Sequence, residues 1–118
     1  METTQLLKGV LDLAVLAVLG RGDAYGYDVL RRLREGGLEE VGDASVYGTL
    51  RRLYRQGALS SYVVPSDAGP HRKYYALTDV GREQFEASNK AYRTFTDNMA
   101  AILADPTPPI PPLKGENR

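Results

Sequence analysis

Arg51, Arg52 and Arg55 fall within one short stretch of the chain, and Arg72 and Lys73 follow one hairpin's length later. A guanidinium is a planar fork that pairs at two points with a guanine edge or a phosphate, and phosphate neutralisation supplies most of the sequence-independent affinity for a duplex. Between Ala44 and Thr78 five cations meet one acid, Asp67, although the whole chain balances fifteen Lys plus Arg against fifteen Asp plus Glu. The global charge offers a polyanion nothing, so any attraction has to be local. Arg51, Arg52 and Arg55 spread over the solvent side of a helix; Arg52 and Arg55 are expected on a nucleic-acid backbone. Ser45, Tyr47, Gly48 and Thr49, in the turns before them, are expected nearest the base edges. His71, Arg72 and Lys73 follow the turn at Gly69-Pro70, where Arg72 would suit a narrow minor groove.

Other chemistries find few residues to work with. His71 is the single histidine of 118 residues and cysteine is absent, which removes thiolate nucleophiles, disulfides and cysteine metal sites. No spacing gives His71 both a nucleophile and an orienting partner, and no glycine-rich nucleotide loop is present. The expectation is therefore a binding protein and not an enzyme, with no cofactor and no metal. The most apolar run, Leu13 to Leu19, is far shorter than the roughly 20 residues of a membrane span. Met1-Glu2-Thr3-Thr4 lacks the basic start of a secretory leader, and a cytoplasmic location is expected.

The elements that must hold these residues can be read from periodicity. A helix is predicted from about Thr4 to Leu19, with two apolar stripes (Leu6, Val10, Leu13, Ala17 and Leu7, Leu11, Ala14, Val15, Val18) that demand burial on most sides. A second begins near Tyr25-Gly26-Tyr27, turns Val29, Leu30 and Leu33 inward, and stops at Gly36-Gly37. A third, capped by Asp43 or Ser45, carries Val46, Leu50 and Leu53 at helical spacing and ends at Gly57. Leu59 to Val64 and Arg72 to Leu77 then read as the strands of a hairpin with a polar tip. Thr78 is the expected N-cap of a long helix reaching Leu103 or Ala104. Three helices followed by a hairpin is the order of a winged helix-turn-helix, in which the third helix enters the major groove. The predicted class is mainly α with a small β-hairpin: residues 1–78 form the DNA-binding unit, 79–104 a dimerisation helix, and 105–118 a proline-rich tail.

The long helix carries its own signal. Phe85, Tyr92 and Met99 are spaced by seven, as are Ser88, Phe95 and Ile102, which makes a heptad seam that the winged fold does not require. Packing on a partner's long helix and first helix, through Leu6, Val10 and Leu13, predicts a two-fold homodimer with two recognition helices at fixed spacing. A rival reading keeps the winged fold but gives it a protein partner, bound by the seam or by the proline tail.

Several segments together resemble the PadR family of bacterial transcriptional regulators. They are Lys8-Gly9 before the apolar helix, Tyr25-Gly26-Tyr27, the run from Ser45 to Leu53, Gly57-Ala58-Leu59, and Gly69 to Thr78 with Gly81 beyond. They span about residues 6 to 82, and their order and spacing carry the resemblance. It implies a homodimeric repressor bound to an inverted repeat of double-stranded operator DNA, in some members released by a small hydrophobic or aromatic effector. It also implies a phosphate contact for Lys8, the recognition helix for Ser45, Tyr47 and the arginines, and the wing for Arg72 and Lys73. The single C-terminal helix resembles the short branch of the family. Gly48 stands where many members have proline, and the tryptophans that sandwich flat drugs in some short members are absent here.

Overall fold

The computed structural model describes residues 6, 7 and 9–104. Leu6 and Leu7 are helical and residues 9–10 form a turn, so the first long helix, α1, runs over Leu11–Gly20; Thr4, the expected start, lies outside the described residues. Val15, Leu16, Val18 and Leu19 are buried, and α1 packs against every later helix and the sheet. That explains its apolar character on most sides: a helix surrounded by partners has no face to give to water.

Two residues, Ala24–Tyr25, form strand β1, which hydrogen-bonds to the third strand and widens the expected hairpin into a three-stranded antiparallel sheet. Helix α2 covers Gly26–Glu35 and helix α3 covers Asp43–Arg55. The residue before α3 is Gly42, without a side-chain cap, so neither Asp43 nor Ser45 caps it. Its C-terminus closes as a Schellman turn: Ala58 N–H donates to the Leu53 carbonyl at 2.9 Å, and Gly57 N–H to the Tyr54 carbonyl at 3.0 Å. This requires the left-handed backbone of Gly57, φ +83°, which glycine adopts without a Cβ penalty.

Strands β2 (Leu59–Val64) and β3 (Arg72–Leu77) pair in full register, from Leu59 opposite Leu77 to Val64 opposite Arg72, giving the sheet order β1-β3-β2. Alternation splits the tyrosines. Tyr75 lies opposite Ala24 and Ser61 and is buried, whereas Tyr74 lies opposite Tyr25 and Tyr62 on the outer face. Helix α4 spans Asp79–Ala104. Thr78 is its N-cap, accepting from Gly81 N–H at 3.1 Å and donating to the carbonyls of Gly57 and Ala58 at 2.7 and 2.9 Å.

The core gathers Val15, Leu16 and Leu19 with Val29, Leu33, Val46, Leu50, Leu53 and Tyr75, so all the helices before α4 and the sheet share one apolar centre. This is the winged helix-turn-helix architecture, mainly helical, with a long C-terminal helix. Among the described residues no helix is long and apolar enough to cross a membrane.

Candidate nucleic-acid interface

Steps of four, three and four residues place Ala44, Gly48, Arg51 and Arg55 on one stripe of α3, opposite the buried stripe of Val46, Leu50 and Leu53. Ala44, Arg51 and Arg55 are exposed and Gly48 half-buried, so the outer face is small at its N-terminal end and cationic at its C-terminal end. A helix without bulky side chains over its first turns can approach another surface closely there. Ser45 is exposed at the edge of this face.

One of the expected contacts sits elsewhere, and a second is partly covered. Thr49 is 6% exposed and belongs to the core side, one turn from Val46 and from Leu53, so its hydroxyl cannot meet a base edge. Tyr47 is half-buried against α2: a methyl on Gly26 would fall inside its ring. The Tyr25-Gly26-Tyr27 segment is thereby the seat of the α2–α3 crossing.

Arg52 also departs from expectation. Its Nη1 donates to Asp12 Oδ2 at 2.8 Å and its Nη2 to Asp12 Oδ1 at 2.7 Å, a two-point pair between α3 and the first turn of α1. These hydrogen bonds hold the Arg52 guanidinium above its ordinary pKa, against a smaller opposing effect of desolvation. Instead of lying open to a phosphate, the side chain is committed to a carboxylate of its own chain. The one acid within the apolar run Leu11–Gly20 is the sequence signal for this, because a carboxylate on a largely buried helix needs a partner.

The arginines of α2 are committed as well. Arg31 bridges Asp28 and Glu35, bonds that raise its pKa, and Arg32 pairs with Asp28 at 3.0 Å. Arg34 donates to the Val41 carbonyl at 2.9 and 3.1 Å and to Asp43, bracing the turn between α2 and α3. Among the described residues the ion pairs therefore use Arg31, Arg32, Arg34 and Arg52, and leave Arg51, Arg55, Arg72 and Lys73 without carboxylates.

The two wing cations point to opposite sides of the sheet. Lys73 shares the face of Tyr75 and turns toward α3, its Nζ 5.4 Å from the Tyr54 ring centre. Arg72 shares the outer face with Tyr74 and lies over Tyr25 at 4.7 Å. Both are exposed, as is His71, so each wing cation rests on an aromatic ring while keeping access to solvent. Lys73 thus reaches α3 at Tyr54, next to Arg55, from the face of the sheet that Arg72 does not share. Lys8 lies outside the described residues.

The seam residues divide too. Phe85 packs on its own core beside Ala17 and Leu77, which removes it from any open seam, and Ser88 is half-buried. Beyond Lys90 the helix leaves the body. Tyr92, Phe95, Met99 and Ile102 stand exposed, and Tyr92 and Phe95 flank a groove of about 780 Å³ shared with Leu6, Val10 and Leu13.

The family model for the transcriptional regulator PadR-like family matches residues 15–87. A PadR-like transcriptional regulator from Bacillus cereus superposes with a TM-score of 0.77 at 31% identity, covering 85% of this chain and 97% of that one. A Streptococcus transcriptional regulator does so at 0.75 and 33%, covering 86% and 98%. An uncharacterised protein of Lysinibacillus sphaericus is 26% identical over 84 residues, which cover 70% of this chain and 77% of that protein. The matched stretch takes in most of α1, the α2–α3 crossing, the sheet and the first turns of α4, the parts that carry Arg51, Arg55, Arg72 and Lys73, and on this basis the chain belongs to the PadR-like family of transcriptional regulators.

Proposed function

We propose that this protein is a repressor that binds an inverted-repeat operator as a homodimer, with α3 in the major groove and the β2–β3 wing on the flanking backbone. The observation that carries the reading is the charge sorting: among the described residues every arginine of α2 has a carboxylate or carbonyl partner, whereas Arg51, Arg55, Arg72 and Lys73 have none. Cations without internal partners on α3 and on both faces of the adjoining hairpin are what counterion release from a duplex requires. Residues 1–78 then serve as the DNA-binding unit and 79–104 as the dimerisation helix. In this scheme Ser45 and Gly48 approach the bases, Arg51 and Arg55 meet base edges or phosphates, and Lys8, His71, Arg72 and Lys73 hold the flanks. A small hydrophobic or aromatic effector, seated in the groove between α1 and α4, would act by changing the distance between the two recognition helices.

The test is fluorescence anisotropy with DNA from upstream of the protein's own gene, at several salt concentrations. Affinity is expected to fall steeply with salt, and Arg55→Ala to reduce the log–log slope by about 0.9 for each phosphate that the guanidinium neutralises. Binding that is absent, or indifferent to salt, would favour the rival in which the same fold serves a protein partner.

A further inference from the structure

Asp12 and Arg52 are forty residues apart in sequence, yet they meet through two parallel hydrogen bonds of 2.7 and 2.8 Å. A fork bound at two points fixes orientation as well as distance, which a lysine at the same place could not do. The remaining α1–α3 contact is made by apolar side chains such as Leu16, Leu50 and Leu53, and apolar contact is non-directional. Among the described residues this is the only ion pair that joins α1 to another element.

Its surroundings sharpen the point. A cavity of about 350 Å³ beside the first turns of α3, bounded by Ser45 and Gly48, is lined by both Asp12 and Arg52. The groove of about 780 Å³ between α1 and the exposed part of α4 is lined by the same two residues. The pair thus stands between the cavity beside the first turns of α3 and the apolar groove along α4. Its side chains remain 42% and 40% exposed, so solvent screens the pair and limits what its charge adds to stability.

We propose that the Asp12–Arg52 pair is a positioning device that fixes the pitch of α3 relative to α1 and α4, and so transmits the geometry of the dimer to the spacing of its two recognition helices. The proposal rests on the operator-binding reading above and assigns Arg52 a role other than phosphate contact.

The experiment uses the full chain and a series of duplexes in which the two half-sites of its operator are moved apart or together by single base pairs. Asp12→Asn and Arg52→Lys are measured beside the wild type, with circular dichroism and sedimentation to verify fold and assembly. Both variants should bind roughly five- to tenfold more weakly at the preferred spacing, keep the wild-type salt slope, and tolerate altered spacings nearly as well as the preferred one. Were Arg52 a phosphate ligand, Asp12→Asn would release it and bind DNA as tightly as the wild type or more so; that result overturns the proposal. Unchanged spacing selectivity in either folded variant overturns it as well. Arg52→Lys keeps the charge and removes the fork, so it decides the matter should Asp12→Asn fail to fold. Failure of the wild type itself to bind DNA removes the operator reading, and this proposal with it, before any variant is compared.

Discussion

The phenol of Tyr62 donates to Asp23 Oδ2 at 2.7 Å, tying strand β2 to the turn before β1. That bond, with smaller contributions from desolvation and the carboxylate's charge, holds the Tyr62 pKa above the ordinary tyrosine value of about 10. A folded-state pKa raised above the unfolded one contributes stability that is complete below the unfolded value and is lost as pH rises through the folded value. The wing should keep this tie throughout the neutral range and release it only in alkali. Phenolate absorbance, taken as the difference between wild type and Tyr62→Phe, should show a midpoint above the ordinary range that returns to it in Asp23→Asn; an ordinary midpoint with Asp23 in place contradicts the assignment. Other residues show where sequence stops being informative. The core stripe of α3 is legible because Val46, Leu50 and Leu53 repeat at helical spacing. Thr49 is not, since its hydroxyl suggests an outward residue while its place on the wheel is inward. Arg52 carries no local mark of its partner, because Asp12 lies on a different helix and only the packing of α1 on α3 brings them together.

Among the elements, the joint between α3, the sheet and α4 is the most closely constrained. Thr78 bonds the α3 turn at Gly57-Ala58 and caps α4 through Gly81 N–H, while its own N–H donates to the Ala58 carbonyl at 3.1 Å. Gly81 is buried against that same carbonyl, and a Cβ there would overlap it. Thr78→Ala should therefore cost about 1 kcal/mol, as the loss of an N-cap does. Gly81→Ala should cost more, about 1–3 kcal/mol, because backbone has to move. Urea unfolding of both variants checks the order, and a Gly81→Ala protein as stable as wild type would contradict the close approach. This cap is visible in the sequence: threonine ahead of a long periodic helix is a local signal, as are the glycines that end α2 and α3. Strand β1 is not visible, since two residues show no alternation and their pairing partners, Tyr74 and Tyr75, come about fifty positions later. The start of α1 is hidden for a related reason. Its apolar stripes continue upstream into Leu6 and Leu7, but the backbone forms a separate turn before Leu11.

At the scale of the whole molecule, the last turns of α4 present apolar surface that no other described residue covers. Tyr92, Phe95, Met99, Ile102 and Leu103 are 41, 60, 36, 69 and 76% exposed, and Leu6 across the groove is 60% exposed. Covering these five roughly half-exposed side chains on each of two protomers gains on the order of 10 kcal/mol, at about 1 kcal/mol for each. Association costs about 4–15 kcal/mol in lost freedom, so a contact between α4 helices alone is marginal. A stable pair needs α1 as well, and Leu6, Val10 and Leu13 supply apolar surface on the other side of the same groove. Phe95 is the residue on which both contributions meet, since it lies on the exposed seam and also lines that groove. Phe95→Asp should therefore convert a dimer to a monomer in sedimentation velocity at micromolar concentration. The winged portion packs without Phe95, so its thermal unfolding should be little changed apart from any stability that dimerisation itself lends. On the proposed operator reading, affinity should fall much further than for any single arginine variant, because one copy of α3 would bind where two had been held together. A variant that still sediments as a dimer would mean that the seam is not the interface. The open end of α4 would then have to be explained by a different partner.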